Sequence, residues 1–421
     1  MAIDFTLTEE QRGLQAGARD FANRVLRKVE PTLRKIAKAE DRFYAIKPFY
    51  DELIAAGFHL GLYPKDLGGG EVSCVDFALA AEELAGVDVN VPTALLGTGL
   101  ALQPVLRNGT PDQKKRLLPD FIADGTRLAA FAFTEFGGGA NFDHPDPSVG
   151  LKTEARLDGN EYVLNGHKAY TVNACGWDGR GAHLLAVVCR TDLKKPPEDS
   201  MAVLMVPGNS PGITIEEVFE TVGHRAVNCP RVKFENVRVR ADNLIGRPGD
   251  GVEIAYQSFA WTAALIGAAS VGVMRQAFDT AYNFARTDKR NGSVPVLEYQ
   301  NVGYMLADIK MRIEAARYLA WKACHQFDIS KGRSKELAVI AKVYNSELSV
   351  QVVYDAMRLV GIDSYTDKHP LAAKLQDALC FPLYDGGNMG VRRRELHNLF
   401  RSQAYDGLAS AECRFTEPMK I

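Results

Sequence analysis

The residues best equipped for chemistry stand near the end of the 421-residue chain. In Phe381-Pro-Leu-Tyr-Asp385-Gly-Gly-Asn-Met-Gly-Val-Arg392, one carboxylate follows apolar Phe381, Leu383 and Tyr384, and a cation comes seven residues later. A carboxylate so placed can take a proton from a bound molecule. Such a base must be strong, yet ionised at working pH. Apolar surroundings strengthen a carboxylate as a base and a nearby guanidinium keeps it ionised. Seven residues make about two helical turns, so Arg392 returns to the face of Asp385 if the chain between them is helical. Gly386-Gly387 works against that. On pattern alone, a surface aspartate in a turn before a basic helix fits as well. Thr262 offers a hydroxyl, and pattern alone reads it as a helix-interior residue bonding its own backbone. Arg393 and Arg394 read as a solvated helix face.

Other chemistries find no residues to carry them. Gly208-Asn-Ser210-Pro-Gly212 matches G-x-S-x-G, but the residue after the serine must lend an N–H to an oxyanion, and Pro211 has none. It reads as a β-turn. There is no G-x-G-x-x-G and no Walker A sequence. The eight histidines do not cluster and no H-E-x-x-H occurs, so no metal site is expected. Trp177 and Trp261 read as core.

The elements that must position these residues fall into three stretches. Apolar residues at three- and four-residue spacing predict helices over 8–28, 47–57, 75–86 and 111–124. Thr8-x-x-Gln11 reads as a capping box, and Pro111 suits a first helical turn. From about Phe131 to Val239, short β-rich runs lie between turn residues. Leu151 to Leu157 and Tyr162 to Leu164 flank the hairpin signal Asp158-Gly159-Asn160. Further runs are Leu184–Cys189, Ala202–Val206, Ile213–Val218, Val232–Phe234 and Val237–Val239. Beyond Gly251 the chain predicts four long helices, 251–285, 298–328, 335–360 and 390–404, suited to a bundle. The fold class is therefore α+β, mostly α: an N-terminal helical domain (1–128), a middle β domain (129–245) and a C-terminal four-helix bundle domain (246–421).

Composition bounds the setting. A net charge of −2 without long single-sign runs gives no reason to expect nucleic acid or a membrane surface as partner. The seven cysteines are odd in number and lack C-x-x-C spacing, which favours free thiols in a reducing, cytoplasmic compartment. The opening Met1 to Phe5 has no basic-then-apolar pattern of a secretory leader. No uncharged apolar run is expected to approach the ~20 residues of a membrane span. Asn108-Gly-Thr110 and Asn291-Gly-Ser293 match a glycosylation sequon by chance.

Several stretches, in order along nearly the whole chain, resemble the acyl-CoA dehydrogenase superfamily. Ala-Phe-Thr-Glu-Phe-Gly-Gly-Gly-Ala-Asn (132–141) is similar to its T-E-P-x-x-G-S-D loop. Leu164 to Asn173 is similar to L-x-G-x-K-x-W-I-T-N, and Phe234 to Gly246 to F-x-x-V-x-V-P-x-x-N-L-L-G. Gln300, Leu306-Ala-Asp-Ile and Ile313-Glu-Ala-Ala-Arg317 resemble its first bundle hairpin. Within the superfamily the likeness is to the nitroalkane oxidase branch, through Gly176-Trp177-Asp178, Val187 to Arg190, Ala263 to Gly267 and Pro382 to Arg394. Dehydrogenases carry a glutamate in Y-E-G-T where this chain has Tyr384-Asp385-Gly386-Gly387. Ala140-Asn141 replaces their Ser-Asp, and Arg358 and Ile362 replace the Gln and second Gly of Q-x-x-G-G.

The resemblance implies a fold of that family, bound FAD and a homotetramer. It implies Asp385 as the base, with Arg392 and Thr262 beside it. Phe133, Thr134, Glu135, Val172, Asn173, Arg290, Gln300, Arg358, Gly386 and Gly387 take the cofactor-binding places. Val172 stands where the family's Thr or Ser serves the flavin, and valine has no donor for that role. The implied reaction removes a proton from the carbon bearing a nitro group and oxidises the nitroalkane to an aldehyde or ketone, with nitrite released and O2 converted to H2O2. Aspartate is one carbon shorter than glutamate, by ~1.5 Å, which favours a small substrate over a long thioester. The alternatives are an acyl-CoA dehydrogenase with an Asp base, a flavin-dependent N-monooxygenase and a non-catalytic helical assembly. The Asp-Gly-Gly-Asn motif argues against the last two.

Overall fold

The computed structural model describes residues 5–70 and 72–414. Met1 to Asp4, part of the opening read above as no leader, lie outside the described residues. The first stretch is helical: α1 (Glu9–Arg24), α2 (Val29–Leu33), α3 (Ala39–Ala45), α4 (Lys47–Ala55), α5 (Cys74–Val87), α6 (Asn90–Asn108), α7 (Pro111–Leu117) and α8 (Pro119–Ala123). The expected capping box opens α1: Gln11 N–H donates to Thr8 Oγ1 at 3.1 Å, and Thr8 N–H to Gln11 Oε1 at 3.1 Å. The same reciprocal pair, Thr110 and Gln113, opens α7 with Pro111 behind it.

Helix α6 was not expected. Pro92, Gly97, Gly99 and Pro104 break its propensity, yet tertiary packing overrides them. Asp88 starts it, accepting the Val91 N–H at 2.8 Å and the Asn90 side chain at 2.8 Å. The small residues let neighbours close in. A Cβ on Gly99 would sit 2.8 Å from the Trp261 ring, and one on Gly97 would lie 3.1 Å from Val172 Cγ1.

The middle stretch forms one sheet from β1 (Ala129–Ala132), β2 (Glu154–Asp158), β3 (Glu161–Lys168), β4 (Leu184–Arg190), β5 (Met201–Pro207), β6 (Ile213–Val218), β7 (Pro230–Arg240) and β8 (Leu244–Ile245), with the four-residue helix α9 (Pro197–Ser200) before β5. The strand order is β6-β7-β3-β2-β4-β5-β8, and β1 pairs parallel with β4. Asp158 pairs with Glu161, so Gly159-Asn160 make the two-residue hairpin loop that the sequence signals. Strand β1 and the start of β2 differ from the expected runs. The G-x-S-x-G match is the β5–β6 turn, closed by Ser210 N–H to the Pro207 carbonyl. Strand β4 is buried at every position and β5 at nearly every one, as strands covered on both faces must be.

The last stretch holds α10 (Gly251–Thr287), α11 (Gln300–Ile329), α12 (Glu336–Val360), α13 (Pro370–Cys380) and α14 (Arg393–Phe400). Helices α10, α11 and α12 pack on one another, α13 packs on α12 and α10, and α5 lies against α10. Two expectations are corrected. The long fourth helix over 390–404 is absent; α13 takes that place in the bundle, and the chain after it turns at Asp385–Gly387 and passes through π-helical Gly387–Arg392 into the short α14. Three consecutive left-handed residues prevent one continuous helix there. Also, Ile254 to Met274 is an uncharged run long enough to cross a membrane by length and composition. In the fold, 94% of the most apolar window of α10 is buried inside the protein. It is the central strut of the bundle.

Candidate active site

Asp385 is carried on a tight turn. Its φ is 53°, and those of Gly386 and Gly387 are 88° and 65°. Asp is one of the few side chains that enter this left-handed region at modest cost. The turn brings the carboxylate over the first turns of α10. Arg392 Nη2 donates to Asp385 Oδ2 at 2.7 Å, and Arg392 Nε to the Asp385 carbonyl at 2.8 Å. The expected pair thus forms through a reversed chain and not through two α-helical turns. Thr262 Oγ1 lies 2.6 Å from Asp385 Oδ1 and 3.1 Å from the Phe259 carbonyl. The hydroxyl has one proton, and the shorter, charge-assisted contact to the carboxylate takes it.

The ion pair is sealed: its side chains are 0% (Arg392) and 3% (Asp385) exposed. Arg392 also reaches Glu395 at 3.2 Å and lies over the Phe259 ring at 5.0 Å. Burial opposes its charge, but Asp385 and Glu395 together hold its pKa above the usual guanidinium value. Burial pushes the Glu395 carboxyl upward, and Arg392 counters only part of that.

Above the carboxylate is a cavity of ≈ 120 Å³ walled by Leu96, Leu100, Phe131, Val172 and Ile266, with Thr134, Tyr170 and Tyr384 at its edges. The lining is largely aliphatic and aromatic, with the hydroxyls of Thr93, Thr134 and Thr262 among it. This suits a flat, largely apolar ring carrying a few hydrogen-bonding edges, so the residues present fit a flavin. A larger cavity of ≈ 360 Å³ opens among α1, α5 and α6. It lacks the Asp385 cluster, so size alone does not locate the site.

The other sequence candidates divide. Phe133, Thr134, Val172 and Gly386 line the Asp385 cavity, and Gly387 follows in the same turn. Glu135 and Asn173 sit next to it with their side chains largely committed elsewhere. Glu135 accepts from Lys152 N–H, Thr153 N–H, Thr153 Oγ1 and Lys168 Nζ. The Asn173 amide donates to the Ala94 carbonyl at 2.8 Å and faces the Ala129 carbonyl, joining α6 to β1. Glu135 leaves only its main chain for a cofactor, whereas Asn173 Oδ1 has no partner among the described residues and can still accept a hydrogen bond. Arg290, Gln300 and Arg358 gather at the far end of the bundle, where Arg290 pairs with Asp363 and donates to the Val360 carbonyl, Gln300 bonds Tyr304, and Arg358 bonds Asp355. That end lies about 37 Å along α10 from Thr262, at 1.5 Å per residue.

Sequence reasoning missed Lys342 and Asn388, which lie buried beneath the turn. Their signal was Lys342, Asn345, Ser346 and Ser349, polar residues at helical spacing on an otherwise apolar face of α12. It also missed His224, which meets the rings of Phe381 and Tyr384 edge-on at 5.1 and 5.3 Å. Burial lowers the His224 pKa to about 3, so it is neutral.

Comparison with known proteins follows the same three stretches. The family profiles for the acyl-CoA dehydrogenase N-terminal, middle and C-terminal domains match residues 8–125, 130–237 and 249–397. The chain belongs to the acyl-CoA dehydrogenase family. A nitroalkane oxidase from Podospora anserina is 36% identical over 97% of this chain and 99% of its own length. A short-chain acyl-CoA dehydrogenase from Megasphaera elsdenii is 29% identical over 92% of this chain and 97% of its own. Among solved structures, an active-site mutant of nitroalkane oxidase crystallised with 1-nitrooctane superimposes with a TM-score of 0.92 at 33% identity, covering 97% of this chain and 99% of that one. Membership makes this chain a flavin-dependent oxidoreductase, as its sequence implied, with FAD as the cofactor.

Proposed function

We propose that this chain is an FAD-dependent nitroalkane oxidase, converting a neutral nitroalkane, O2 and water to an aldehyde or ketone, nitrite and H2O2, with the carbonyl oxygen supplied by water. The observation that carries the reading is the buried Asp385 carboxylate, held by Arg392 and Thr262 at the floor of a small apolar cavity. Asp385 takes the proton from the carbon beside the nitro group. Arg392 stabilises the ionised carboxylate before the transfer, and Thr262 fixes which oxygen lone pairs face the substrate. The mostly apolar walls leave the carboxylate few solvating neighbours, which strengthens it as a base. FAD, when bound, accepts the electrons of the oxidation and passes them to O2. Phe133, Thr134, Val172, Gly386 and Gly387 would hold its ring end, with the main chain at Glu135 and the unpartnered Oδ1 of Asn173. Arg290, Gln300 and Arg358 lie too far along α10 to reach the same cofactor, and would hold the nucleotide end of a neighbouring subunit's FAD.

The decisive experiment is anaerobic mixing of the purified holoenzyme with nitroethane and, separately, with a medium-chain acyl-CoA. Bleaching of the flavin by nitroethane alone is expected. Bleaching by the thioester alone overturns the reading in favour of a dehydrogenase with an aspartate base.

Two further outcomes follow from this reading. A homotetramer is expected, because Arg290, Gln300 and Arg358 need a neighbour and the surface near the turn exposes Leu379, Leu383 and Met389. Light scattering at micromolar protein checks it, and a monomer refutes it. Val172 offers a flavin no side-chain donor, so Val172→Ser is expected to change the rate of flavin reduction or the flavin potential. Unchanged values of both would mean that the side chain does not face the ring. The seven free cysteines support a cytoplasmic location.

A further inference from the structure

The reactive carboxylate hangs from a backbone that needs holding. Its φ and ψ are set by the two peptide planes on either side, and each of those carbonyls accepts from a buried basic side chain. The Asp385 carbonyl accepts from Arg392 Nε at 2.8 Å. The Tyr384 carbonyl accepts from Lys342 Nζ at 2.8 Å. Lys342 is wholly buried on α12 and donates a second time, to Asn388 Oδ1 at 2.6 Å. Asn388 closes the far side of the turn: its N–H donates to the Pro382 carbonyl at 2.8 Å, and its amide to Ser346 Oγ and Glu347 Oε1, both at 3.0 Å. Arg393 in turn grips Glu347 through both guanidinium nitrogens. The strained turn is thus bolted to α12 from below, on both sides of Asp385.

We propose that Lys342 is a positioning residue for proton abstraction, holding the Tyr384–Asn388 turn so that the Asp385 carboxylate stands at the substrate carbon. The proposal rests on the reading of Asp385 as the base. Arg392 and Thr262 fix the carboxylate oxygens; Lys342 fixes the backbone that bears them. The role does not depend on charge. Burial lowers the Lys342 pKa to about 7, with Asp385 and Glu347 raising it and Arg392 and Arg393 lowering it. A neutral amine still has two N–H groups, enough for both acceptors.

The test uses FAD-loaded enzyme with two substrates, neutral nitroethane, which needs the base, and its pre-formed nitronate, which does not. Lys342→Met keeps the length and apolar bulk and removes both donors. It is expected to keep the flavin spectrum and to reduce with nitronate at close to the parent rate. Reduction by nitroethane is expected to fall about 10²-fold, the scale of a misplacement near 1 Å. Asn388→Ser removes one of the two anchors and is expected to give a smaller loss, again for nitroethane only. If Lys342→Met does not fold, Asn388→Ser alone decides. Parent-like nitroethane rates in the variants, or equal slowing of both substrates, overturn the proposal. A parent enzyme whose flavin stays oxidised with nitroethane instead overturns the activity on which it rests.

Discussion

Asp385→Asn is expected to bind FAD as the parent does and to be reduced by neutral nitroethane about 10²–10⁴-fold more slowly. The exchange is nearly isosteric. Asn also enters the left-handed region at which Asp385 sits, so the turn survives. Its amide oxygen can still accept from Arg392 or Thr262. What is lost is the proton acceptor. A nitronate supplied already deprotonated should therefore reduce the variant nearly as fast as the parent. That contrast separates a base from a residue that only shapes the cavity, whose loss would slow both substrates alike. Stopped-flow absorbance of the flavin, run anaerobically with each substrate, reads the two rates. Oxidation of neutral nitroethane at the parent rate would remove Asp385 from the mechanism, and the assignment with it.

Arg392→Met is expected to be the most costly single change to stability near the site, by about 3–5 kcal/mol, the range for breaking a buried ion pair from one side. Arg392 faces two carboxylates, Asp385 and Glu395, and its removal leaves both without their paired guanidinium, with Lys342 still acting on Asp385 and Lys335 on Glu395 but neither paired with them. A lower urea midpoint with an unchanged slope would report the loss. The deficit has a pH signature. Burial already holds the Glu395 pKa above its usual value, and Arg392 limits that rise. Without the arginine the folded-state value climbs further above the unfolded one. A carboxyl raised in this way binds its proton more tightly folded than unfolded, so its penalty is present at neutral pH and fades as pH falls toward the unfolded value. The gap between variant and parent should therefore narrow from pH 7 to pH 5. A gap that stays constant would mean that Glu395 finds another partner.

Much of the architecture was legible because its signals are local. The Thr8–Gln11 capping box, the Gly159-Asn160 hairpin and the starts of α10 through α12 are each written within a few residues. What failed were elements decided by partners distant in sequence. Helix α6 carries Pro92, Pro104 and two glycines, and forms because Trp261 and Asn173 pack into the space that those residues leave. The site divides in the same way. Asp385 and Arg392 drew attention because the motif that bears the proposed base is short and contiguous, and Thr262 through the family likeness; the structure brings the three side chains together. Lys342 reaches Tyr384 and Asn388 across 42 and 46 residues of sequence, and no spacing rule spans that. Conversely, Glu135 and Asn173 looked like cofactor contacts because they lie in the right motifs, while their side chains spend every donor or most acceptor positions on joining strands and helices.

The left-handed backbone at Asp385 also bears on how the family's two kinds of base are separated in evolution. Aspartate and glutamate codons differ by a single nucleotide, so one base change exchanges the two acids. Here that exchange meets an obstacle that has nothing to do with substrate. At φ 53° an aspartate is tolerated and a longer acid is disfavoured, and the two glycines that follow have positive φ of their own. A glutamate would fit a different turn better. The short acid is thus favoured by its own loop, and a longer acid at this position fits better once the backbone of residues 385 to 387 changes with it.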